Sequence, residues 1–167
     1  MKKLIIFGKN YIVLEKSSNK DSVHLRKNKI YVNHHNQSPN VLLKEFLAKR
    51  LYSELSKIYE KIKTRSKVGL FGNLEFEIVE KIDNKKERIA KLKGNKILIK
   101  LNAVALPKSA LEYIIAHEIA HIITKRHTQR FWKTVQIMCP NFKKHQKLLT
   151  KYSNVILKQD ISKAFTT

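Results

Sequence analysis

Leu111-Glu112-Tyr113-Ile114-Ile115-Ala116-His117-Glu118-Ile119-Ala120-His121-Ile122-Ile123 is the stretch on which the reading of this chain turns. Leu111, Ile114, Ile115, Ile119, Ile122 and Ile123 recur at helical spacing, which predicts one amphipathic-to-buried helix. Pro107 marks its start, and Ser109 with Glu112 has the spacing of a capping box. Residues four apart stand one above the other on a helix, so His117 and His121 share a face and can hold one metal ion. Glu118 is rotated about 100° from His117, where its carboxylate can reach a water in an open coordination position. HExxH on a helix is thus a zinc-binding arrangement with a general base built in.

A third ligand must come from beyond the helix. His127 follows His121 by six residues, the spacing of HExxHxxGxxH. The residue at the glycine position is Thr124, so the turn away from the helix is expected to fall across Lys125-Arg126 instead. No glutamate follows Glu118, and the one later acid is Asp160, which leaves His127 the leading third ligand. Three imidazoles with an open position are the donor set of hydrolytic zinc. The pattern therefore predicts a zinc-dependent hydrolase, a peptidase before other kinds, with Glu118 as general base.

The 167 residues can bury a core and suit one domain over 1–167. Cys139 is the single cysteine, so no disulfide forms within the chain, which suits the cytoplasm. It reads as a core residue at a helix end. No segment approaches the length and apolarity of a membrane span, and the apolar opening Leu4–Phe7 stops at Gly8-Lys9. Lys and Arg number 35 against 13 Asp and Glu, a net charge of +22. Such a field attracts polyanions, so nucleic acid joins peptide or protein substrates among the expected partners. Aromatic residues do not interleave with the basic ones, so base-specific reading has no support.

The overall class is α+β. A strand-rich part, 1–35, carries Leu4–Phe7, Tyr11–Glu15, Val23–Leu25 and Ile30–Val32, expected as a small antiparallel meander. Ser38-Pro39 opens a long amphipathic helix to about Lys63, with Leu43, Phe46, Leu47, Leu51, Leu55, Ile58 and Ile62 on its inner face. Strands follow at Leu74–Ile78 and, after the turn Lys93-Gly94-Asn95, at Lys96–Asn102. The latter is expected to be an edge to which an extended peptide adds. A zincin-like helical half carries the motif, with further helices from Thr128 and after Pro140-Asn141.

Leu106-Pro107, Leu111–Ala116, His117–His121 and then His127-Thr128-Gln129-Arg130-Phe131-Trp132, with Pro140 ahead of a basic helix, resemble the YgjP-like metallopeptidase family. The run over 106–152 is more distantly similar to SprT-like proteases. The resemblance implies a compact α+β zinc peptidase with His117, His121 and His127 as ligands and Glu118 as base. Upstream, the Arg-Trp-Gly-Ser-Cys-like segment typical of the family reads Arg88-Ile89-Ala90-Lys91-Leu92, keeping only the arginine. Arg130 and His145 are candidates for a second electrophile beside the metal. Phe131 and Trp132 are expected to pack on the motif helix and steady His127. His24, His34 and His35 read as surface residues of the strand-rich part.

Two rival classes share parts of this pattern. A zinc-dependent hydrolase of nucleotide phosphates would use the same metal and Glu118, but the chain has only 4 Gly and no Gly-rich phosphate loop. A basic nucleic-acid-binding protein would need a structural metal site, for which four ligands, often cysteines, are usual.

Overall fold

The computed structural model describes residues 2–66 and 74–159; Asp160 lies outside them. Four strands come first: β1 (Lys2–Ile6), β2 (Lys9–Ser17), β3 (Ser22–Arg26) and β4 (Lys29–His34). They form one sheet in the order β1-β2-β4-β3. This corrects the expected meander: β2 runs parallel to β4, with Val13 opposite Ile30, while β1 and β3 pair antiparallel at the two sides. The chain passes from β2 over the end of β4 to reach β3. Asp21 pins that crossover, its Oδ1 accepting from the backbone N–H of His35 at 2.6 Å and of Asn36 at 3.1 Å. Central β4 thereby buries Ile30 and Val32 completely. The long helix α1 (Pro39–Ser66) packs on this sheet. Ser38 caps it, its Oγ accepting from Val41 N, as the sequence predicts. Leu43, Leu47, Leu51, Leu55 and Ile62 line its inner face at zero exposure.

A second sheet holds β5 (Glu75–Val79), β6 (Ala90–Lys93) and β7 (Lys96–Lys100) in the order β5-β7-β6. Here a second expectation fails. The strand at Lys96 is central, not an edge: β5 pairs with it in parallel and β6 antiparallel. Ile97 and Ile99 are fully buried, and a strand so covered has no free backbone side to offer. The strand also stops at Lys100, because Leu101–Ala105 wind into a 3₁₀ turn.

That turn leads into α2 (Lys108–Ile123), followed by α3 (Gln129–Met138) and α4 (Phe142–Lys158). The tip of the β1–β2 hairpin docks on it, Phe7 N donating to Val104 O at 2.7 Å and Gly8 N to Ala105 O at 3.0 Å. Both tip residues have positive φ, 47° and 79°, as a two-residue hairpin loop requires. A Cβ on Gly8 would come within 3.2 Å of Pro107 Cγ. Helix α2 is the core of the molecule: Ala110–Ala116, Ile119 and Ala120 are all buried. Burial of its large apolar side chains contributes roughly 1.5–3 kcal/mol each. Its start departs from expectation. Pro107 is the cap residue, with no side-chain hydrogen bond. Glu112 does not reach back to the helix end; it is 7 % exposed and pairs with Arg65 at 2.5 Å and Lys61 at 3.5 Å, both on α1.

Candidate metal centre

Helix α2 presents His117 and His121 on one face, and the segment beyond it returns His127 to the same place. Nε2 of His117 lies 3.3 Å from Nε2 of His121 and 3.4 Å from Nε2 of His127. All three ligand-capable nitrogens fall within 4.8 Å of one another, a group that could hold a metal ion. The return needs no left-handed residue. Thr124 caps the helix with φ −140° and ψ 118°, and Thr128 N closes on Arg126 O at 2.8 Å, so the bend falls across Lys125-Arg126. A β-branched residue suits that extended backbone, which is why glycine is dispensable here. Thr128 then caps α3, its side chain accepting from Phe131 N. His127 is thus fixed immediately before a capped helix.

The far sides of the His117 and His121 imidazoles are also held. Thr124 O lies 3.3 Å from Nδ1 of His121, and the Tyr113 hydroxyl 3.3 Å from Nδ1 of His117. Carbonyl and hydroxyl oxygens there favour Nδ1–H and leave Nε2 with a free lone pair. Burial pushes the Tyr113 phenol up, so it stays neutral. Phe131, fully buried, touches all three rings at centroid distances of 5.0, 4.7 and 4.8 Å. Trp132 stacks on His127 at 5.9 Å and on Phe142 at 5.5 Å, so both aromatics act as packing, as expected. Burial first, and then the neighbouring His121 and His127, lower the His117 pKa to about 4. Its imidazole is therefore neutral across the physiological range.

Glu118 points toward β6. Its Oε2 accepts from Leu92 N at 3.0 Å. Burial raises its pKa, against the opposing pull of that N–H, His121 and Arg88. The segment where the resemblance weakened, Arg88–Leu92, thus lies beside this carboxylate. Lys100 N donates to Ile89 O, and pairing alternates along β6, so Ala90 and Leu92 turn their backbone groups away from β7. That free side of β6 meets Glu118.

Tyr113 and Leu92 are two site residues the sequence reading missed. Tyr113 had a readable signal, since it stands one helical turn before His117. Leu92 had none, because its contribution is a backbone N–H. His145 is elsewhere, its Nδ1 3.3 Å from Cys139 Sγ, and Arg130 is an exposed residue in the first turn of α3. His24 stacks on Tyr31, and His35 contacts Ser18 O.

Imidazoles gathered from one helix and the turn beyond it, with a half-buried carboxylate alongside, place the protein among the metallohydrolases of HExxH type. Residues 1–152 match the YgjP-like metallopeptidase domain, and the chain belongs to that family. It is accordingly a metal-dependent peptidase by family. No curated protein and no solved structure matches it. Among the described residues, no helix is long and apolar enough to cross a membrane.

Proposed function

We propose that the chain is a zinc-dependent peptidase in which His117, His121 and His127 hold the metal and Glu118 is the general base. The observation that carries this is the convergence of three Nε2 atoms, with the Nδ1 sides of His117 and His121 engaged. Tetrahedral zinc with Zn–N of about 2.0–2.1 Å places neighbouring nitrogens about 3.3–3.4 Å apart, and two of the pairs here measure 3.3 and 3.4 Å. These two pairs match the spacing the ion needs, and all three nitrogens lie within 4.8 Å of one another. Zinc bound there supplies an acidified water and a Lewis acid for a carbonyl oxygen.

Glu118 takes the proton of the attacking water and passes it to the leaving amine. Its raised pKa makes the carboxylate a stronger base for the first transfer, and the Leu92 N–H holds Oε2 in place. Phe131 excludes water from behind the imidazoles. An extended peptide would pair along the free side of β6 at Ala90, beside the Leu92 N–H that Glu118 takes, which replaces β7 as the receiving strand. The net charge of +22 would draw acidic segments toward it. One free, buried cysteine suits a reducing compartment such as the cytoplasm.

Metal analysis and a peptidase assay test the reading together. Expected are about one zinc per chain, most of it lost in a His117→Ala/His121→Ala double variant. Glu118→Gln should retain the metal and lose turnover by about 100-fold or more. Undiminished turnover in Glu118→Gln would remove it from the mechanism, and undiminished zinc in the double variant would remove the ligand assignment.

A further inference from the structure

Lys100 ends β7 with its side chain taken out of water: the residue is 7 % exposed. Its Nζ donates to the carbonyls of Lys85 at 2.7 Å and Lys86 at 3.0 Å. No carboxylate meets it within ion-pair distance among the described residues, an unusual state for a buried ammonium. Burial holds its pKa below the usual lysine range, with Glu87 opposing.

The two carbonyls belong to the tight turn at Ile82–Lys85 and the residue after it. Asp83 and Asn84 take φ of 49° and 54°, a left-handed pair that Asp and Asn tolerate, and Lys85 N closes the turn on Ile82 O at 3.0 Å. Asp83 fastens the loop to Arg88 and Lys91 at 3.1 and 2.6 Å. The loop, α1 and the end of α4 enclose a cavity of about 590 Å³ lined by Lys44, Lys81, Lys85, Lys86, Lys100 and Lys158. Glu80 is the one acid in its lining and is paired with Lys44 at 2.5 Å. Asp83 is engaged elsewhere. Lys81, Lys85, Lys86 and Lys158 have no ion pair among the described residues. None of the lining residues belongs to the histidine cluster, to Glu118 or to β6.

We propose that this cavity binds an oligophosphate anion, with Lys100 at its floor and Lys85, Lys86 and Lys158 around it. The volume falls in the range of about 300–1,000 Å³ typical of small-molecule sites. A chain of phosphoryl groups fits it where a nucleic-acid duplex does not. Ammonium groups on flexible stems are suited to point-charge contact with phosphate oxygens. The anion supplies the counter-charge that Lys100 lacks within the protein.

Titration of the full, metal-loaded chain with inorganic tripolyphosphate, followed by backbone amide signals, tests this; metal content is measured before and after. Signals of Ile82–Lys86 and Leu101-Asn102 should move, and those of His117–His127 should not. Affinity should rise from orthophosphate through pyrophosphate to tripolyphosphate. A Lys85→Glu/Lys86→Glu variant should lose about tenfold or more, since its side chains are exposed and its backbone carbonyls remain. A Lys143→Glu/Lys144→Glu variant makes the same change of charge on α4 and should lose less than about twofold. Lys100→Met, folded by circular dichroism, should also bind more weakly. A nucleoside triphosphate is titrated beside tripolyphosphate. Equal affinity supports recognition of the phosphate chain alone, and tighter binding supports the chain with the nucleoside in the same cavity. Equal losses in the two charge-reversal variants, full affinity in Lys100→Met, shifts confined to His117–His127, or binding of duplex DNA without tripolyphosphate would each overturn the proposal.

Discussion

Replacing Tyr113 by phenylalanine removes one oxygen from behind His117 and leaves the ring. That ring is 5 % exposed and meets the imidazole edge-on at 5.7 Å, so packing is preserved. With Nε2 committed to a metal, Nδ1 carries the proton and donates to the tyrosine oxygen at 3.3 Å. This is longer than the usual 2.9–3.0 Å, which puts the bond in the lower part of the roughly 0.5–1.5 kcal/mol range for net hydrogen-bond contributions. Phe131 and Trp132, at 5.0 and 6.1 Å from His117, continue to wedge the ring in place. Loss of about 0.5–1 kcal/mol corresponds to about two- to fivefold weaker metal binding. Competition with a coloured chelator at fixed pH measures it. An affinity unchanged within about twofold would show that the hydroxyl does not orient His117. A loss above about 100-fold would refute the reasoning from the other side, because one bond of this length cannot supply the required ~2.7 kcal/mol.

Gly8→Ala should destabilise the fold by about 1–2 kcal/mol in urea unfolding, from its φ of 79° and the 3.2 Å approach to Pro107 Cγ; an unshifted midpoint would contradict the docked-hairpin account. Glu112→Ala strands Arg65 and Lys61, but their side chains are 37 and 54 % exposed and can turn to water. The cost should therefore be about 1–3 kcal/mol, below that of a fully buried pair, and a melting temperature equal to that of the parent would show the cluster to be idle. Burial pushes the Cys139 thiol from 9.0 up to about 11. The unfolded chain then loses this proton first, so the contribution is intact below pH 9 and is lost as pH rises toward 11. Urea midpoints at pH 8.5 and 10.5 should fall more in the parent than in Cys139→Ala; equal falls would exclude the thiol.

Elements with strong local periodicity were legible in the sequence. The inner face of α1, its Ser38 cap and the motif helix all follow from spacing, and so does the meeting of His117 with His121. His127 was legible by elimination of other donors. Pairing was not. Short strands at Tyr11 and Ile30 announce themselves, yet nothing local says that β4 slides between β2 and β3 to lie parallel to β2. The same gap directs the expected peptide edge to Lys96–Asn102: Ala90-Lys91-Leu92-Lys93 alternates, but four residues are too few to mark a strand by pattern alone. Ser109 with Glu112 shows a different limit. The spacing satisfies a capping box and an ion pair with α1 equally, and only the approach of Arg65 decides between them. Lys100 looked like one basic residue among 35; its burial depends on carbonyls 14 and 15 residues away.

Gln159, at the end of α4, lays its side-chain amide along β1: Ile5 N donates to Oε1 at 2.9 Å and Nε2 donates to Ile5 O at 3.1 Å. A side chain here imitates the next strand, and the contact joins residues 154 positions apart. Closing so long a loop brings little reward until the rest is in place, so this clasp belongs to the last stage of folding. It should also be the first to release. The Ile5 amide then exchanges with solvent through a small opening, ahead of its neighbours in β2 and long before α2 is disturbed. Hydrogen exchange at that one position would report the fastening of the two ends of the fold separately from the stability of the whole.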